Sequence, residues 1–270
     1  MLAYERTGSG EPLLLLHGIA HRRQAWAPVV ERLAGEFEVI TVDLPGHGES
    51  PAFELAGRTV REAVSHELNE LREELGIERP HVVGNSLGGL LALEMADAGH
   101  ARSVTALSPA GFWVNDLDYL YVRGLFAGIQ AVARPLAPVA GTVLRSKVAR
   151  TVAMGCFFAH PDRIDAATAA ADTANMVASR EGIKTFFTSA YRYPGAKRSD
   201  VPTTVAWASR DLTLLPYQAI VAERRLPHAT HRWLASCGHV PMNDDPDLVA
   251  EVIRETARGQ RDAEQRAQTA

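Results

Sequence analysis

The sequence lacks most of the features that would mark a secreted, membrane-spanning or nucleic-acid-binding protein. Only two of its 270 residues are cysteine, Cys156 and Cys237, far apart in the chain. Two thiols in a chain of this size fit a reducing compartment better than a disulfide framework. No purely apolar run approaches the ~20 residues that a membrane-spanning helix needs. The N-terminus has no basic start followed by an apolar stretch, so no signal peptide is expected and a cytoplasmic location is. Charge of one sign is also missing: 28 Lys and Arg oppose 32 Asp and Glu, a net of −4. That balance argues against a nucleic-acid partner. Cysteine and histidine show no metal-ligand spacing, and no cofactor is expected.

What the chain does have is hydrophobic content, 46% of residues, enough for a full core. Short apolar runs alternate with helical periodicity. Leu13 to Leu16, Phe37 to Val42, Val82 to Gly84 and Ser103 to Leu107 read as strands buried on both faces. Leu2 to Arg6, followed by Gly8-Ser9-Gly10, reads as a hairpin partner to the first of these. Helices are expected over 24–33, from a capping box at Thr59 and Glu62 to Gly76, and from Leu87 to Ala98 before Gly99. Strands alternating with helices predict an α/β fold, a mostly parallel sheet with helices on both faces.

The alternation breaks after Ser108-Pro109 and resumes at the strand Thr203 to Ala208. The stretch between reads as several helices. In one, Leu117, Tyr121, Leu125 and Ile129 lie four apart on one face; another, rich in alanine, starts near Pro161 and ends at Gly182. The expected division is a core over 1–110 and 201–260, a helical cap over 111–200 and a polar, frayed tail over 261–270. Pro216 to Arg225 and Pro246 to Arg258 read as the last helices, around the strand Thr230 to Leu234.

The sharpest local signal is Gly84-Asn85-Ser86-Leu87-Gly88, a G-x-S-x-G pentapeptide between a strand and a helix. A serine on so tight a turn takes a strained backbone, and flanking glycines keep neighbouring chain clear of it. A serine hydroxyl needs a base, and the base needs an acid to fix its tautomer. Asp211 follows one late strand and His239 the next, so Ser86, Asp211 and His239 are the candidate catalytic residues. Asp116 or Asp118 is the alternative acid. The oxyanion-hole candidates are the N–H groups of Ile19 and Leu87. His17 reads as structural, and Asp43 to Gly48 as a turn rather than a nucleotide loop. His21, Asn85, Phe112 and Trp113 are candidates for substrate contact, although lid aromatics can equally pack the lid onto the sheet.

Five segments taken in order resemble the α/β-hydrolase superfamily over residues 2 to about 258. They are Leu14-Leu15-Leu16-His17-Gly18, the stretch from Asp43 to Ser50, Gly84 to Gly89, Trp207-Ala208-Ser209-Arg210-Asp211 and Gly238-His239-Val240-Pro241. The resemblance implies a sheet of eight strands or slightly fewer, with a helical cap between strands six and seven. The chain starts late, which allows the first family strand to be missing. It also implies a serine esterase-like branch, since haloalkane dehalogenases and epoxide hydrolases carry an aspartate where Ser86 stands. The expected activity is hydrolysis of a carboxylic ester of an apolar small molecule through an acyl-enzyme. The alternatives are a carbon–carbon bond hydrolase acting on a vinylogous diketone, or a non-catalytic binding protein. Against the former, Val240-Pro241 stands where those enzymes carry a tryptophan, and Ile19-Ala20-His21 lacks their glycine-rich form.

Overall fold

The computed structural model describes the backbone of every residue except Phe53, Ser189, Ser199 and Ala270, and side chains as far as Gly259. Its strands are β1 (Tyr4–Gly8), β2 (Glu11–Leu16), β3 (Phe37–Val42), β4 (His81–Asn85), β5 (Ser103–Leu107), β6 (Thr203–Ala208) and β7 (Thr230–Leu234). They form one sheet in the order β1-β3-β2-β4-β5-β6-β7, with β1 antiparallel and every other pair parallel.

Successive side chains of a strand point to opposite faces. Leu13 and Leu15 accordingly enter one core with Trp26, Val29, Val83 and Ile253. Leu14 and Leu16 enter the other with Ile40, Val64, Leu68 and Leu91. Helices α1 (Ala27–Leu33), α2 (Val60–Glu74) and α3 (Leu87–Asp97) follow strands in the first half. The Thr59–Glu62 capping box is present at the start of α2. A 3-10 turn, Arg23–Trp26, precedes α1, so the helix expected over 24–33 begins at Ala27, with Pro28 in its first turn, where a missing N–H costs nothing.

The hairpin expected between the N-terminal segment and Leu13–Leu16 does not form. β1 runs antiparallel to β3, Tyr4 opposite Val42 and Gly8 opposite Glu38. Both edges of β2 are occupied by parallel neighbours, β3 and β4, so the edge open to β1 is that of β3.

The helical segment falls between β5 and β6, one strand earlier than the family count, because the sheet has seven strands among the described residues. It comprises α4 (Asp116–Leu136), α5 (Ala140–Val143), α6 (Lys147–Met154), α7 (Ala166–Ala178) and α8 (Arg180–Phe186). Two expectations fail here. The buried face of α4 is Asp118, Tyr119, Val122 and Phe126, while Leu117 and Tyr121 are exposed. Residues spaced by four drift around a helix of 3.6 residues per turn, so the stripe read from sequence leaves the core at its start. Nor does Gly182 end a helix begun near Pro161. Asp165 caps α7 by accepting from the Thr168 N–H, α7 stops at Ala178, and Gly182 lies inside α8. Its bare Cα lets α8 settle on the 43–50 loop, since a Cβ there would stand 2.8 Å from the Gly46 carbonyl oxygen.

After the insertion come α9 (Gln218–Arg225), α10 (Pro241–Asp244) and α11 (Pro246–Thr269). α11 continues through the tail that was expected to fray; side chains from residue 260 on lie outside the described residues. No described helix is long and apolar enough to cross a membrane.

Candidate active site

Ser86 follows the last residue of β4 and precedes the first of α3. Its backbone is held at φ 56°, ψ −115°, a conformation that side-chain-bearing residues rarely adopt. Two contacts impose that turn. A Cβ on Gly84 would stand 2.0 Å from the Gly88 carbonyl oxygen, and one on Gly88 2.1 Å from that of Leu16. Only glycine lets β4, β2 and α3 pass so close. The hydroxyl is thereby presented beyond the C-terminal end of the parallel strands, where α/β sheets bind ligands.

His239 lies on the loop between β7 and α10. Its Nδ1 meets Asp211 Oδ2 at 2.7 Å, with both side chains almost wholly removed from water. The other carboxylate oxygen of Asp211 accepts the N–H groups of Thr213 at 2.8 Å and Leu214 at 2.7 Å. With Oδ1 committed to the backbone, only Oδ2 faces the ring. A carboxylate there accepts the Nδ1 proton and leaves the Nε2 lone pair free to take another.

The alternative acids are employed elsewhere. Asp116 is exposed and paired with Arg192; Asp118 accepts from the Val114 N–H and the Tyr217 hydroxyl. Asn85 ties the serine turn to the histidine loop by donating to the His239 carbonyl at 2.8 Å. Among the described residues no hydrogen bond joins Ser86 Oγ to the imidazole, a contact that commonly tightens only around a substrate.

Gly18 touches the serine: its Cβ, if present, would lie 3.1 Å from that of Ser86. Ile19 and Leu87 line the same small cleft as Ser86. Leu87 is the first residue of α3, so its N–H has no acceptor within the helix. Trp113 also lines that cleft and donates its indole N–H to the Tyr191 carbonyl. Phe112 does not reach it. Fully buried between the rings of Tyr193 and Trp207, it joins the insertion to the core, which corrects its reading as a substrate contact.

A second cavity of about 820 Å³ runs under the insertion with Asn85, His21 and His239 in its wall. Most of the remainder is apolar, with Leu125, Ile129 and Phe157 among it. Cys156 lines it too, but burial pushes its thiol up to about 11, and that of Cys237 to about 12, so neither is a thiolate near neutrality. Both cysteines are free. Among the described residues no group of three or more His, Cys, Asp or Glu side chains could hold a metal ion.

Three supporting residues escaped the sequence reading. Asn175 of α7 donates to the carbonyls of Ala20 and His21 and accepts from the Gly48 N–H, which fastens the insertion to both loops beside the serine. Asp244 accepts three backbone N–H groups, from Ala159, His160 and Gly238, and so fixes the chain just before His239. Arg23, buried, pairs with Asp43, Glu5 and Glu49. Each joins segments remote in sequence, and none sits in a recognisable local pattern.

The loop after β2 depends on neutral histidines. Leu44 N–H donates to His17 Nε2 at 2.9 Å, so the ring proton is on Nδ1, which donates to the Gly18 carbonyl at 2.7 Å. Burial holds His17 well below its ordinary value, and burial lowers His47 to about 4. The unfolded chain would protonate both rings near the ordinary value of 6.5, and the folded one does not. Stability is therefore full above about pH 6.5 and declines as pH falls towards 4. Each buried histidine contributes up to ~1.4 kcal/mol per pH unit across that window. Urea midpoints should fall between pH 7 and pH 5, and less steeply in His47→Phe; equal slopes in the two proteins would contradict this origin.

Comparison with known proteins agrees with this architecture. The sequence profile described as the alpha/beta hydrolase family matches residues 13–252. An uncharacterised protein of Mycobacterium tuberculosis is 28% identical, covering 93% of this chain and 76% of that protein. An epoxide hydrolase of the same organism is 31% identical, covering 67% of this chain and 87% of its own. Among solved structures, a thermophilic esterase from Thermogutta terrifontis superposes with a TM-score of 0.67 at 23% identity, covering 96% of this chain and 93% of that one. At that identity the likeness concerns the fold.

Proposed function

The chain belongs to the alpha/beta hydrolase family, and on that premise we propose that it is a serine hydrolase that cleaves a carboxylic ester of an apolar small molecule through an acyl-enzyme. Ser86 Oγ attacks the ester carbonyl while His239 Nε2 takes its proton. Asp211 holds the ring in the tautomer that can do so and stabilises the imidazolium that forms. The N–H groups of Ile19 and Leu87 receive the charge on the carbonyl oxygen, each worth roughly 10²–10³ in rate. His239 returns its proton to the departing alcohol, then draws one from a water that attacks the acyl-enzyme, and passes it to Ser86 Oγ as the acid leaves.

The observation that carries this reading is the 2.7 Å Asp211–His239 bond beside a strained serine turn to which Asn85 ties the histidine loop. A serine at 86 also speaks against the mechanism of the similar epoxide hydrolase, for which the resemblance implies an aspartate. The helices over 111–200 act as the cap, and the cavity beneath them supports an apolar substrate.

p-Nitrophenyl esters should be turned over, with kcat/KM higher for butyrate than for acetate. Burying one methylene is worth about 0.8 kcal/mol, so two should give about 15-fold. Absence of turnover on every ester, or a preference for vinylogous diketones, would overturn the assignment.

A further inference from the structure

Between Tyr119 and Pro161 the sequence contains no aspartate or glutamate, whereas it contains Arg123, Arg134, Arg145, Lys147 and Arg150. All 32 acidic residues lie outside this span. In the fold it forms most of α4, all of α5 and α6, and the turns between them. Arg150 is buried, donating to the carbonyls of Leu144 and Arg145, and so shapes the turn between α5 and α6. Arg134, Arg145 and Lys147 are exposed and make no ion pair among the described residues.

The same surface exposes apolar side chains that the core does not claim. Val148 is 74% and Val152 82% exposed, with Val132, Leu136, Val139 and Val143 beside them in the sequence and likewise exposed. Four of these, Val132, Leu136, Val143 and Val152, also line the large cavity. The cavity that reaches His239 therefore opens outward through a rim of exposed apolar residues, and that rim carries unpaired cations. A substrate entrance in contact with water needs neither. A helical face with apolar side chains among cations is what binds the boundary of an anionic bilayer, where the side chains enter the acyl region and the cations meet lipid phosphates.

We propose that the α4–α6 face docks on an anionic lipid surface and admits an acyl ester from it directly into the cavity. The admission step rests on the hydrolase reading given above; the docking does not. Charge complementarity selects this occupant, since a span that exposes four basic residues, Arg123, Arg134, Arg145 and Lys147, and contains no acidic one repels this chain's own cap and attracts anionic lipid.

Vesicle co-sedimentation tests it. The full chain should bind phosphatidylcholine vesicles doped with phosphatidylglycerol and bind pure phosphatidylcholine weakly, and salt should weaken the binding. The triple variant Arg145→Glu, Lys147→Glu, Val148→Glu should lose at least ~10-fold in vesicle affinity. Its three positions do not line the cavity, so turnover of soluble p-nitrophenyl acetate should stay at the wild-type level, which also reports that it folds. Ser86→Ala should bind vesicles as the wild type does. Failure of the wild type to bind anionic vesicles, or a triple variant that binds as well, would overturn the docking and leave a protein partner or self-association to cover the face. Wild-type turnover in Ser86→Ala would instead sink the catalytic reading and leave the docking standing.

Discussion

Ser86→Ala should lower kcat on p-nitrophenyl butyrate by at least ~10⁴-fold, while the protein keeps its fold. The effect is large because the residue would form the covalent bond itself. Neither cysteine can replace it, since burial holds both thiols protonated near neutrality. Stability should rise or stay level, because alanine removes a hydroxyl with no hydrogen-bond partner among the described residues and keeps the Cβ. The backbone strain at φ 56° stays in either case, being imposed by Gly84 and Gly88 rather than by the side chain. Steady-state kinetics and a melting curve check both halves. Activity within tenfold of wild type would rule out nucleophilic attack by this residue.

Asp211→Asn should cost about 10⁴-fold in kcat, the scale on which a serine–histidine pair fails when its ring is held in the wrong tautomer. The local geometry dictates the failure. Oδ1 accepts the N–H groups of Thr213 and Leu214, so an asparagine would turn its oxygen to those donors and its NH₂ to His239. The ring would then accept at Nδ1 and carry its proton on Nε2, where it cannot take one from Ser86. KM should change far less than kcat, because Asp211 is buried and does not line the cavity. A loss confined to KM, or a small loss in kcat with unchanged melting, would mean that the carboxylate is a packing residue. Asp118→Asn, by contrast, should leave the tautomer untouched, since that side chain serves Val114 and Tyr217.

What the sequence made legible is what local chemistry dictates. The limits of β6 could be read off because its β-branched and apolar run, Thr203 to Ala208, ends in turn residues. The serine turn could be read because Gly84, Ser86 and Gly88 lie within five residues of one another, although Gly88 also makes room for Leu16 of β2. Pairing was harder. Nothing in Leu2 to Arg6 distinguishes the edge of β2 from that of β3, and a hairpin is the cheaper guess only because it is local.

Gly182 misled for a related reason. A glycine near a helix end usually stops it, but this one serves a contact with Gly46, more than a hundred residues earlier in the chain. The supports of the site were invisible on the same ground. Asn175 reaches Ala20 across 155 positions, and Asp244 reaches Ala159 across 85. Their identities as an Asn in an alanine-rich helix and an Asp before a proline-started one carry no local signature. The exposed valines of α6 were legible as apolar but not as unburied, because exposure depends on what the fold leaves uncovered.

One measurement bears most directly on the central claim, that Ser86 is an activated nucleophile. Native protein treated with a fluorophosphonate, then digested and mapped by mass spectrometry, should carry the phosphonyl group on the peptide containing Ser86. The adduct should be missing from heat-unfolded protein and greatly slowed in Asp211→Asn. A native sample that stays unlabelled, or one labelled on a different serine, would contradict the account.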